Sequence, residues 1–111
     1  MSASTLPLLD RQQYNDLCEV FDKAMPQQLA FFTDTLSRDV IALDEQDDLV
    51  KLQAKAHEMA GAAATFGAQR LHEHLARIEA ACKAGMNDEA MALRAELHQV
   101  WADTQGAFSA A

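Results

Sequence analysis

Residues 49–67 read LVKLQAKAHEMAGAAATFG. Wound at about 100° per residue, Leu52, Ala56, Met59, Ala63 and Phe66 gather on one side of a helical wheel. That is an amphipathic helix with a core-facing stripe, ended by Gly67 at a natural C-terminal glycine position. Met59 and Phe66 are therefore expected to be buried between helices. His57 falls on the opposite side. Its wheel neighbours are Val50, Gln53, Ala54, Ala60, Gly61 and Ala64, while Lys51, Lys55 and Glu58 stand to the sides. A solvated helix face is ordinarily charged and long-chained. This one is a strip of small residues around one imidazole.

Gly61 sharpens the point. A glycine inside a helix costs up to about 1 kcal/mol relative to alanine, yet Ala60, Ala62, Ala63 and Ala64 surround it. Two explanations stand at this level. Either the missing methyl clears an approach to His57, or a neighbouring helix crosses closely there.

Outward from this segment, the rest of the chain keeps helical spacing with sparse punctuation. Asp10 and Gln13 form a capping-box arrangement before a short helix striped by Tyr14, Leu17, Cys18 and Phe21. A second helix starts near Pro26 and carries Leu29, Phe32, Leu36, Val40 and Leu43. The acidic run Asp44-Glu45-Gln46-Asp47-Asp48 reads as a solvated connector whose acids suit the next helix N-terminus, rather than as a docking site for a basic partner. After Gly67 come Leu71, Leu75, Ile78 and Cys82, ended by Gly85. Asn87 is the expected cap of a last helix with Leu93, Leu97, Val100, Trp101, Thr104 and Phe108. The spacing predicts an all-α fold, an antiparallel up-and-down four-helix bundle with a short extra N-terminal helix as a lid across one end. One domain over 1–111 is expected, with 1–9 as a flexible N-terminal segment.

Composition agrees and excludes. Twenty-two of 111 residues are Ala, against eleven Val, Ile and Thr together, a balance that favours helix over sheet. Seventeen acids against nine Lys and Arg leave a net charge of −8, without the basic footprint a nucleic-acid partner requires. The longest uncharged stretch, Met59 to Gln69, falls short of the roughly 20 residues of a membrane span. The N-terminus lacks the pattern of a signal peptide, so a cytoplasmic chain is expected. Cys18 and Cys82 fit neither a zinc nor a redox spacing.

The chemistry open to such a face is narrow. Gly61 stands where a zinc-protease HExxH helix would need its second histidine. His72 and His74 lie on opposing sides of their helix, His98 stands by itself, and neither a haem-attachment motif nor a P-loop is present. No metal site and no cofactor of its own are expected. What remains is a histidine that takes and returns a group carried by a partner.

At these residues the chain resembles the histidine-containing phosphotransfer (HPt) domains of multistep two-component signalling. Their pattern runs AH-x-L-K-G-S-A-x-x-x-G-A-x-x-L, then L-E-x-A and a glycine that closes the next helix. Here residues 56–71 read AHEMAGAAATFGAQRL, followed by Ile78-Glu79-Ala80-Ala81 and Gly85. The resemblance implies the four-helix bundle with its extra N-terminal helix, and His57 as phosphoacceptor. It implies response-regulator receiver domains and hybrid histidine kinases as partners, with the divalent metal on the receiver. Ala60 stands where the family usually has a lysine that steadies the phosphoryl group. Some relatives place a basic residue on the following helix, in the region of Lys83, which is spaced i,i+4 from Glu79. Ala60, Gly61, Ala64, Glu79 and Lys83 are thus the expected phosphate-site neighbours, and Val50, Gln53 and Ala54 the expected docking patch.

The reading is a phosphorelay intermediate with no kinase or ATPase machinery. The alternative is a pseudo-HPt adaptor that docks receivers or kinases without carrying phosphate, favoured by Ala60. A small cofactor bundle using His and Met is the third reading, disfavoured by the outward His57. A monomer is expected, since a complete bundle needs no second chain.

Overall fold

The structure, a computed structural model, describes residues 6–111. It comprises α1 (Arg11–Phe21), a 3₁₀ turn (Asp22–Ala24), α2 (Met25–Asp44), α3 (Leu49–Thr65), α4 (Gln69–Lys83) and α5 (Asn87–Ala110). Among the described residues there is no strand. Helices α2 to α5 form the up-and-down bundle. Each packs on its neighbour in the chain, most extensively α3 on α4, and α5 closes the ring against α2. No described helix is long and apolar enough to cross a membrane.

The apolar stripes meet in one core. Leu36, Val40, Leu43, Leu52, Met59, Leu71, Leu75, Ile78 and Leu97 are almost completely buried. Burying a side chain of this kind contributes about 1.5–3 kcal/mol. Polar groups inside are satisfied: His74 Nε2 lies 2.7 Å from the Leu93 carbonyl, and Thr104 Oγ1 donates to Val100 O at 2.7 Å.

Two glycines turn the chain. Gly67 (φ +73°) and Gly85 (φ +70°) occupy the left-handed region. Ala68 N–H donates to Ala63 O and Met86 N–H to Ala81 O, each at 2.9 Å, which closes both helix ends in Schellman fashion. The acidic connector works locally. Asp48 accepts from the amides of Val50 and Lys51, and Arg94 bonds Gln46 O and Asp47.

Four expectations are corrected here. Phe66 is only half-buried, because it lies just past the last turn of α3. It stacks there on Phe32 (4.3 Å between ring centroids) at the bundle's end. Asn87 is the first helical residue and caps nothing; Met86 holds the cap position, and the Schellman turn before it sets where α5 begins. Only half the capping box forms: Asp10 accepts from Gln13 N–H, but Gln13 Nε2 reaches across to Thr65 O. Of the expected flexible segment 1–9, residues 1–5 lie outside the described residues. Residues 6–9 run along the α3–α4 turn: Leu6 O accepts from Arg70, Leu8 O accepts from Gln69 N–H, and Leu9 is buried. With Asp10 N–H bonded to Gly67 O, this strap seats α1 as the lid, where Tyr14 meets Phe108 and Phe21 meets Phe66.

Candidate functional site

His57 sits eight residues from the C-terminal end of α3, on its outer flank toward α4. The α3–α4 hairpin folds back at Gly67-Ala68, so residues equally far from the turn come level. His57 and Glu79, eleven before and eleven after Ala68, are such a pair. His57 Nδ1 lies 3.0 Å from Glu79 Oε2. Lys83 Nζ, one turn further along α4, lies 3.2 Å from the same oxygen. The Glu79 side chain is 16% exposed, that of His57 76%.

This geometry selects the tautomer of the neutral ring. An ionised carboxylate only accepts, so the imidazole nitrogen facing it carries the hydrogen. The neutral ring then has Nδ1–H donated to Glu79, leaving the Nε2 lone pair unengaged in a largely solvent-exposed ring. Glu79 is tuned to this role. Partial burial pushes its carboxyl upward, but the hydrogen bonds from His57 and Lys83 and the charge of Lys83 outweigh that and hold it below its ordinary value.

The expected site residues divide four ways. Val50, Gln53 and Ala54 line one open depression together with His57, Glu79 and Lys83. Val50 is 77% exposed, an unusual position for a valine without a partner. Gly61 is exposed, and a Cβ built on it would meet nothing within 4 Å, so no helix crossing demands a glycine there. Ala64 is exposed too, but it lines a separate crevice near the lid with Asp10, Gln13 and His72. Ala60 is a correction: it is buried at 5%, not part of the exposed strip. It lies on the flank where α4 closes in, and its carbonyl accepts from His72 Nδ1 at 3.0 Å. A wheel gives an angle, not the position of the neighbouring helix.

The other histidines are differently engaged. His74 is buried with Nε2 against a carbonyl, and His98 Nε2 lies 3.5 Å from Asp44. Among the described residues no three His, Cys, Asp or Glu side chains converge to hold a metal. The sequence reading missed the Glu79–His57 bond itself, which spans two helices. The available signal was the mirror relation of the two positions about the turn.

Compared with known proteins, residues 15–107 match the family model described as Hpt domain. No curated protein and no solved structure matches. A match running from α1 almost to the end of α5 leaves no helix of the bundle outside it. The chain therefore belongs to the Hpt domain family, the histidine phosphotransfer modules of two-component signalling.

Proposed function

We propose that this chain is an active phosphocarrier: His57 accepts a phosphoryl group on Nε2 from a receiver-domain aspartate and returns it to the aspartate of another receiver. The observation that carries this reading is the Nδ1–Glu79 bond, which selects the tautomer with a free Nε2. In the forward step the Nε2 lone pair attacks phosphorus of the aspartyl phosphate. A P–N bond forms, the P–O bond to the aspartate breaks, and the carboxylate leaves with its electron pair. The proton stays on Nδ1, where Glu79 stabilises the positive charge the phosphorylated ring acquires. Onward transfer is the reverse reaction with a second receiver, so no net proton change is needed.

Such transfer depends on positioning and charge neutralisation more than on covalent machinery. The receiver supplies the acidic centre and its divalent metal. This chain supplies an accessible nucleophile on a rigid helix, with Lys83 within one turn of Glu79 to neutralise phosphoryl oxygens. That cation takes over from the family's usual lysine at the position of Ala60, whose side chain is buried. Val50, Gln53 and Ala54 are the surface on which the receiver seats, with Gly61 leaving clearance beside the ring.

The experiment is transfer from a radiolabelled phospho-receiver, run across a panel of receiver domains. Acid-labile, base-stable label on the wild type and none on His57→Gln is the expected result. Tight receiver binding with no label on the wild type would instead make the chain a pseudo-HPt adaptor.

A further inference from the structure

The face of α2 that points away from the bundle carries a pattern the phosphotransfer site does not use. Gln27, Phe31, Asp34, Arg38, Ile41 and Glu45 are all exposed, and their spacing of 4, 3, 4, 3 and 4 residues aligns them as one stripe. Phe31 is 69% and Ile41 62% exposed, two of the large apolar side chains the fold leaves in water. The stripe is also its own mirror image about Leu36. Reversed, it places Phe31 opposite Ile41, Asp34 opposite Arg38, and Gln27 opposite Glu45. Ala30 and Ala42, likewise exposed and likewise equidistant from Leu36, flank it with small side chains that let a second helix approach.

We infer that α2 pairs antiparallel with α2 of a second copy of this chain, about a two-fold axis at Leu36. An isologous interface must be self-complementary, each residue meeting its mirror position on the other subunit. This stripe meets that condition in both shape and charge. Each aromatic ring meets the partner's isoleucine, and two Asp–Arg pairs form across the axis. Among the described residues Arg38 Nε reaches only the Asp34 carbonyl, at 3.4 Å, which leaves its guanidinium available to the partner. His57 opens on the α4 flank of α3, so pairing through α2 leaves both imidazoles free. Two apolar residues per copy make a contact smaller than the roughly 1,000 Å² of a stable interface, so the dimer is weak and concentration-dependent.

Sedimentation velocity of the whole chain, from about 10 µM to about 1 mM, reads this directly. The wild type should gain mass with concentration. Asp34→Arg alone or Arg38→Asp alone places like charges opposite each other twice per dimer and should weaken association about tenfold or more. Asp34→Arg combined with Arg38→Asp restores opposite charges and should return it to within about threefold of wild type. Unchanged melting of all three variants confirms that they are folded. A wild type monomeric throughout, or a double variant as weak as the single ones, overturns the inference. So does a monomeric wild type in which Phe31→Ala slows receiver exchange, which would assign the stripe to the receiver.

Discussion

Gly61 and Gly67 stand six residues apart in one stretch of chain and serve opposite ends. At Gly67 the backbone is left-handed, and a Cβ would lie 3.0 Å from the Asp10 carbonyl and 3.3 Å from Gln13. The strap, the lid helix and the ring cluster of Phe32, Phe66, Trp101 and Phe108 all close over this end. At Gly61 the backbone is helical and the space outside is empty. One glycine is required by the fold, whereas the other costs the fold something and opens the flank beside His57. A stretch rich in small residues can therefore hold a sealed end and an open face within two helical turns.

The closed end should give the largest stability effects. Phe32, 3% exposed, is in contact with three other rings, so Phe32→Ala should cost roughly 3–5 kcal/mol in denaturant unfolding. Phe66→Ala should cost less than that, because its side chain is already partly exposed. Gly67→Ala combines a disfavoured φ with a close carbonyl and should cost on the order of 2 kcal/mol. If Gly67→Ala proves neutral, the strap does not hold the turn as described.

The open flank should respond in function instead. Glu79→Ala releases the imidazole tautomer and should slow phosphoryl exchange about tenfold or more, with melting little changed. Glu79→Gln keeps an acceptor for Nδ1–H and should recover part of that rate. Gly61→Ala should raise stability by up to about 1 kcal/mol, the reverse sign to Gly67→Ala. Gly61→Gln should slow exchange while the protein stays folded. A destabilised Gly61→Ala would erase the contrast between the two glycines.

The smallest effect is one of pH. The Glu79 carboxyl is held below its ordinary value in the folded chain, so it stabilises the fold above the ordinary carboxylate range. That contribution is lost as pH falls through the folded value. Wild type and Glu79→Gln should differ in Tm at pH 7, by the equivalent of a few tenths of a kcal/mol, and converge as pH falls through the folded Glu79 value. A difference that persists in acid would mean that the carboxylate charge is not its source.

Helix number and order were legible in the sequence, because apolar period and glycine position are local signals. Gly67 and Gly85 mark both turns, and the stripes of α2, α4 and α5 are buried nearly as spaced. The outward placement of His57 on one face with Val50, Gln53 and Ala54 was legible for the same reason, whereas Glu79 and Lys83 entered only through the family resemblance. What was not legible depends on where a second element sits. Ala60 is buried by α4, Phe66 is partly exposed because α3 ends before it, Gln13 is drawn away from its cap by Thr65 O, and Glu79 meets His57 only once the hairpin closes.

The central claim concerns one atom. Phosphorylated, ¹⁵N-histidine-labelled protein can be read by ³¹P–¹⁵N correlated NMR, with His57→Gln assigning the resonance. One phosphorus coupled to Nε2 of His57, with Nδ1 still protonated, is the expected result. Phosphorus on Nδ1, or on His72, His74 or His98, would contradict the account.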